Sequence, residues 1–400
     1  MKVILLAAGL VVLAGVPSAA RLPQAQPNQA TEAADVAKAI QGARVFRDAG
    51  LLAEASNAMA SVLKKYPGNS DAARFHIDTL LAQGHFDDSL IVYDAYVKAR
   101  QKPDAIPLAA IGRSDLRRTQ QVKSDKPATV ALVLERLARD GDAGALQSLR
   151  QLSAAVPSST LQDLAPTIAL ARLNEAEAQA ALGRALSQAP SDMKPQVIQA
   201  IRDANARNQG PALRAAFDDP DPAVKTAAAL ALGALQVREA VPQLQNAYDN
   251  AGANAGAVKM FSAIALKQLG QTSVDKFVEG LLDSPIAEIR VHAARAYLFS
   301  TTKTPQWDKA VRALMNGPNE QQRLDAAEML ACCDVTAAKS LLTSALASPN
   351  PILRAGAAKV FESRKELADL TIARRILGDS LDGVRLYGAG IAMTLAKSAQ

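Results

Sequence analysis

The stretch DDPDPAVKTAAALALGAL, residues 218–235, decides the fold of this 400-residue chain. Two Asp-Pro pairs come first. Proline suits the first turn of a helix, and aspartate caps the free N–H groups at a helix start. A run of small apolar residues follows, and small side chains let a neighbouring helix approach closely. The stretch therefore predicts a turn followed by a helix that stacks on another helix.

The same pattern recurs along the C-terminal half at intervals of 31 to 34 residues. An alanine stands four residues after a cation in every copy, and a small residue stands three residues after it. These two positions share one helix face with the position one before the cation, which is apolar in five of six copies, and with the apolar position seven after it. The marker cations are Lys225, Lys259, Arg290, Arg323, Arg354 and Arg385.

A second amphipathic run follows each of these helices, for example residues 238–248 and 337–347. The unit is thus a helix, a short turn, a second helix and a turn usually marked by proline. Such a unit buries its apolar face only by stacking on the next unit. We predict an all-α fold, an α-α superhelix (alpha-solenoid) of stacked helical hairpins.

The motifs DPDPAVKTAAALALGAL (219–235) and SPNPILRAGAAKVF (348–361) resemble HEAT repeats, in particular the short HEAT-like type also found in phycobilisome lyases. Six units over residues 216–400 carry the resemblance. It implies that each marker cation reaches an acid or a carbonyl group of a neighbouring repeat. The alternative is that the six cations form a basic stripe for a polyanion.

Two further regions are helical in character. Gly50 and Gly84 lie 34 residues apart, and each separates two helical segments, so residues 34–103 resemble two tetratricopeptide repeats. Residues 129–215 have helical apolar periodicity without a fixed repeat, and we interpret them as degenerate helical repeats.

The N-terminus has the pattern of an export signal. Lys2 precedes an apolar run over residues 3–16, and small residues follow it. That run is too short to span a bilayer as a helix. We predict a signal peptide over residues 1–20, cleaved near Ala20, then a flexible lead-in over residues 21–33, and a periplasmic or secreted protein. A retained anchor helix is the alternative.

The formal net charge of +6 is concentrated in one segment. Between Lys98 and Lys126, eight cations face three acids. We predict a basic linker over residues 104–128. Its candidate polyanion-binding residues are Arg113, Arg117, Arg118 and Lys123; the alternative is a solvated linker face.

No enzyme signature stands out. The three histidines are isolated, and there is no phosphate-binding loop or nucleophile elbow. Cys332 and Cys333 are adjacent, which does not make a metal site. We therefore expect no catalytic, cofactor or metal site. Trp307 lies after a slightly longer turn: it either marks a loop on a binding face or packs inside the repeats, with Thr304 capping the helix.

These observations favour a non-catalytic exported scaffold that presents a curved surface to a protein or peptide. We expect the second helices to line its concave side. Alternatives are an envelope structural protein that binds a polyanion through the basic segment, and an accessory module of an envelope enzyme complex. Neither a nucleic acid partner nor a transmembrane segment in the mature chain is expected. The candidate partner contacts are Gln243, Lys276, Lys309, Lys339 and Arg374.

Overall fold

The structure is a computed structural model that describes residues 29–123, 126–155, 163–250, 252, 256–300 and 303–399. Its regular elements over these ranges are helices, and no strand occurs among them. The predicted all-α solenoid is confirmed. In the same ranges, no helix is both long and apolar enough to cross a membrane. The predicted signal peptide lies outside the described residues.

The first four helices form two hairpins, which we call the arm. They are α1 (Gln29–Asp48), α2 (Leu52–Lys65), α3 (Ser70–Ala82) and α4 (Phe86–Arg100). Gly50 and Gly84 have φ angles of +76° and +79°, a left-handed conformation that favours glycine, and each turns the chain between the two helices of its hairpin. Helix α1 begins earlier than predicted, because the end of the expected flexible lead-in, residues 29–33, is already helical.

The other helices, numbered along the chain, form a two-layered ring of hairpins. Its inner helices are α6 (Pro127–Asp140), α8 (Ala165–Arg172), α10 (Lys194–Asp203), α12 (Pro222–Ala234), α14 (Gly256–Gln268), α16 (Ala287–Arg295), α18 (Glu320–Leu330), α20 (Pro351–Ser363) and α22 (Asp382–Ser398). Its outer helices are α5 (Ala105–Val122), α7 (Ala143–Ala155), α9 (Ala176–Gln188), α11 (Gly210–Phe217), α13 (Val241–Asp249), α15 (Asp275–Leu281), α17 (Pro305–Met315), α19 (Val335–Ala345) and α21 (Leu370–Leu377). Two 3-10 helices, Arg207–Gln209 and Arg238–Ala240, lead into α11 and α13.

The ring closes because α5 takes the outer position beside α22, the last inner helix. The two helices approach closely at Gly112, where an added Cβ atom would lie 3.0 Å from the Cα atom of Ala389. In the predicted basic linker over residues 104–128, residues 127–128 already belong to α6, and the prediction is also wrong for residues 105–122. These residues form α5, because apolar side chains recur at helical spacing between the cations and nine of its residues are buried.

Ion pairs join parts of the chain that are far apart in sequence. The Arg385 Nε atom on α22 donates to an Asp115 oxygen on α5 at 3.1 Å, and both side chains are buried. Arg136 on α6 donates to both carboxylate oxygens of Glu362 on α20, at 2.9 and 2.8 Å. These pairs lie at the seam where the ring closes.

The alanines of the repeat pattern lie where helices pack together. All six are fully buried: Ala229, Ala263, Ala294, Ala327, Ala358 and Ala389. At Gly233 on α12, an added Cβ atom would lie 2.8 Å from the Cα atom of Ala265 on α14, so these helices touch almost backbone to backbone. Small residues thus allow the first helices of successive repeats to pack closely. The expectation that the second helices line the concave side is wrong, because the closely spaced first helices form the inner layer.

Candidate functional site

The five candidate partner contacts lie on the outer layer, one on each second helix. Lys276 is exposed on α15. The other four bond to protein groups from another helix or turn: Gln243 donates to Asp218 (2.7 Å) and to the Arg214 carbonyl group (3.1 Å), Lys309 pairs with Asp283 (3.2 Å), Lys339 with Asp369 (2.5 Å) and Arg374 with Asp94 (2.7 Å). Their polar groups therefore link neighbouring parts of the chain, and the structure does not bring the five together on one concave surface.

Arg374 has a particular position among them. Its guanidinium group donates to both carboxylate oxygens of Asp94 on α4, at 2.8 and 2.7 Å. Because α4 belongs to the arm and Arg374 to outer helix α21, this bidentate pair attaches the arm to the ring.

The candidate polyanion-binding cations on α5 also have acidic neighbours. The pairs are Arg113 with Asp140 (2.5 Å), Arg117 with Asp142 (3.4 Å) and Arg118 with Asp115 (2.7 Å), while Lys123 lies half-buried just after the helix. Local acids offset most of the charge that the sequence concentrates here, so the segment offers a polyanion far less free charge than its composition indicates.

The marker cations mostly turn toward backbone carbonyl groups. Four arginines each donate to the carbonyl group six residues earlier: Arg290 to Ser284 (2.6 Å), Arg323 to Gly317 (2.7 Å), Arg354 to Ser348 (3.0 Å) and Arg385 to Asp379 (3.0 Å). Each of these carbonyls lies just past the end of an outer helix, where carbonyl groups lack helical partners and the dipole favours a cation. Lys225 reaches the Phe217 carbonyl at 3.4 Å, whereas the Lys259 ammonium group lies over the Tyr248 ring at 5.1 Å.

Trp307 packs inside the ring. Its side chain is 1% exposed, and its Nε1–H group donates to the Ala294 carbonyl group at 2.9 Å. Thr304 caps the same helix by accepting from the Trp307 backbone N–H group at 3.2 Å. The interpretation of Trp307 as part of a loop on a binding face is therefore wrong, because the indole fills the space between two repeats.

An open concavity lies on the arm, between α1 and α3. We call it the arm groove; its volume is about 730 Å³. Its floor contains buried Val36 and Phe75 with exposed Ala37 between them. Small residues on the facing side of α1 keep the floor open. An extended chain segment can lie along such a floor, as it could not on a surface filled by long side chains.

Cations stand along the rim of this groove. Arg44 is exposed, and no ion-pair partner for it occurs within the ranges that the structure describes. Arg47 stacks its guanidinium group 4.7 Å from the centre of the Phe75 ring. Arg74 donates to Asp104 at 3.2 Å, and its Nε–H group is buried without a partner. Three guanidinium groups thus border one open groove.

Asp78 is one of two acids that line the groove, with Asp71. One side of the Asp78 carboxyl group is exposed, and the groove walls remove water from its other side. This desolvation raises the pKa of Asp78, whereas the nearby Arg47 and Arg74 lower it. Sequence reasoning missed this groove because its walls come from two helices that are separated in the chain. The sequence signal that could have indicated the groove is the presence of Arg44 and Arg47 among alanines on one face of α1.

Comparison with known proteins identifies the repeats. Residues 210–298 match the family model for HEAT repeats. These residues form HEAT repeats. No curated protein matches this chain.

Two solved structures are similar to part of this chain. The complex of CpcE and CpcF of phycocyanin lyase from Nostoc sp. PCC7120 is 19% identical, with a TM-score of 0.39, over 61% of this chain and 91% of that chain. Human deoxyhypusine hydroxylase in complex with glycerol is 16% identical, with a TM-score of 0.31, over 64% of this chain and 100% of that chain. Likenesses this distant do not bear on activity.

A buried histidine next to the groove makes the stability of the arm depend on pH. His76 on α3 is buried, and its Nε2 atom lies 3.0 Å from the Ser56 hydroxyl group while Nδ1 has no partner. Burial lowers the pKa of His76 below its usual 6.5. Just below pH 6.5, His76 takes up a proton in the unfolded chain but not in the folded chain. The free energy of unfolding is therefore highest above pH 6.5, and it decreases as the pH falls toward the pKa of His76 in the folded chain.

We expect His76→Gln to flatten this dependence. The measurement is the urea midpoint of unfolding at a series of pH values between 7.5 and 5.5 (roughly the range in which histidine titrates). The matched control is His85→Gln, since His85 is exposed at the start of α4. An equal loss of stability on acidification in wild type and His76→Gln would contradict the prediction.

Proposed function

We propose that this HEAT-repeat scaffold is exported and non-catalytic, and that it binds an extended peptide segment in the arm groove. The observation that carries the proposal is the contrast between two concave surfaces. The inner surface of the ring forms a pocket, which we call the lumen, with a volume of about 400 Å³. The arm groove is open at the surface and larger, at about 730 Å³. The groove therefore has more room for a segment that belongs to another folded protein.

The charge of the groove favours an acidic segment. Arg44 is exposed and unpaired within the described residues, and Arg47 presents its guanidinium group above an aromatic floor. A guanidinium group binds a carboxylate through two parallel hydrogen bonds, and the bonds strengthen when water is excluded. The Arg47 stack on Phe75 holds the cation in place before a partner arrives, which lowers the entropy lost on binding.

Export and the absence of catalysis rest on separate grounds. Lys2, the apolar run over residues 3–16 and the small residues after it support an export signal. The repeats occupy most of the described chain, and within those residues no group of three histidine, cysteine or acidic side chains is placed to hold a metal ion. Both features support a binding role for the protein.

Cross-linking in the native cell tests the site. A photoreactive amino acid in place of exposed Ala37 should form a covalent adduct with the partner, because this position lies on the groove floor. Arg44→Glu with Arg47→Glu should abolish the adduct by repelling an acidic segment. The matched control reverses the charge of exposed Lys276 on the outer layer, with Lys276→Glu, and should leave the adduct unchanged. The opposite pattern, with capture lost only in the outer-layer variant, would overturn the groove as the binding site.

A further inference from the structure

The lumen of the ring has two chemically different walls. Helices α12 and α14 contribute Leu230 and Ile264, and these side chains make one wall apolar. The equivalent positions of the next three repeats are Arg295, Glu328 and Lys359, on α16, α18 and α20. Charge therefore alternates from helix to helix along the second wall: cation, anion, cation. The volume of about 400 Å³ lies in the range of small-molecule sites.

The charges on this second wall are not fully paired with one another. Arg295 contacts both Asp325 (3.1 Å) and Glu328 (2.9 Å), so one cation serves two carboxylates. Burial raises the pKa of Asp325, and Arg295 opposes this. Lys359 is exposed to the lumen, and it has no ion-pair partner within the described ranges. The wall thus has surplus negative charge on α18 and an unused positive charge on α20.

Two neutral polar side chains, Gln268 and His292, also line the lumen. Gln268 is 8% exposed, and its Oε1 atom forms no hydrogen bond. His292 packs edge-on against the Phe261 ring at 5.1 Å; burial, and next the nearby Arg295 and Arg202, lower its pKa and keep the ring neutral. A buried polar atom without a partner costs stability unless a ligand or water satisfies it.

We infer that the lumen binds a small zwitterion with an apolar body, namely a short apolar peptide with free termini. Its ammonium group pairs with Asp325 and Glu328, its carboxylate pairs with Lys359, and its side chains lie against Leu230 and Ile264. This site is independent of the arm groove, because it lies inside the ring and uses other helices.

The dipeptide Leu-Leu and its blocked forms test the inference by isothermal titration calorimetry with the full chain. Leu-Leu should bind. Both N-acetyl-Leu-Leu and Leu-Leu amide should bind about tenfold or more weakly, because each loses one charge-assisted pair. Equal affinities for the three compounds, or no binding of Leu-Leu at millimolar concentration, would overturn the assignment.

Variants locate the site within the protein. Lys359→Gln should weaken Leu-Leu about tenfold and leave Leu-Leu amide unchanged, since only the carboxylate pair is lost. Ala234→Phe should remove binding of all three compounds by filling the lumen, because Ala234 lines it on the apolar side. The matched control, Lys276→Gln on the outer face of α15, should bind like wild type. Melting temperatures show that each variant is folded, and unaltered Leu-Leu binding by folded Lys359→Gln would place the peptide elsewhere.

Discussion

Replacement of Asp115 by asparagine should lower the free energy of unfolding by on the order of 3 kcal/mol, because removing one member of a buried ion pair leaves the other charge uncompensated. Asp115 is fully buried and accepts from Arg385 at 3.1 Å and from Arg118 at 2.7 Å. Arg385 is itself buried, so water cannot replace the lost partner. The measurement is urea unfolding at neutral pH, together with small-angle X-ray scattering to detect opening of the ring.

The matched control is Asp382→Asn, which removes the second acidic partner of Arg385. The Asp382 side chain is 37% exposed, so its loss should cost less than about 1 kcal/mol. The double variant Asp115→Leu with Arg385→Met should recover most of the stability lost by Asp115→Asn, since an apolar pair of similar volume needs no desolvation of charges. An Asp115→Asn protein that unfolds like wild type would show that this pair does not hold the ring closed.

Replacement of Trp307 by alanine should cost about 3–5 kcal/mol, the range for truncating a large buried aromatic side chain. Trp307 is 1% exposed, and its Nε1–H group satisfies the Ala294 carbonyl group. Truncation both leaves a cavity between α16 and α17 and removes a hydrogen bond from a buried acceptor. Chemical denaturation followed by circular dichroism measures the effect.

Trp307→Phe separates the two contributions. Phenylalanine keeps most of the apolar contact but cannot donate, so it should cost about 1–3 kcal/mol from the unsatisfied carbonyl group. If Trp307→Ala lost less than about 1 kcal/mol, the indole would have to face solvent, and the packing of these two repeats would be different from the one described.

The repeat fold was predictable because its determinants are local. The marker cation, the alanine four residues later and the proline before the helix all fall within a single helix and its turn. Helix face, helix start and close packing follow from that spacing alone. The fully buried Ala263 and Ala358 occupy the stacking positions that this pattern indicates.

The candidate site was much less predictable. The sequence interpretation placed the concave surface on the second helices, whereas the small residues of the first helices draw those helices to the inside. It treated the cations of α5 as free charge, although Arg113 and Arg117 meet Asp140 and Asp142 only after the chain has folded. The arm groove combines residues of α1 and α3, so no single segment contains its pattern.

By itself, the sequence determined that this protein is an all-α stack of helical hairpins with HEAT-type units in its C-terminal half. Only the tertiary structure decided that the stack closes into a ring. Closure depends on contacts such as Arg385 with Asp115, which are 270 residues apart in the chain. A repeating pattern specifies how each unit packs on the next one. Whether the last helix meets α5 depends on the curvature accumulated over all the units between them, and that sum is a property of the whole assembly.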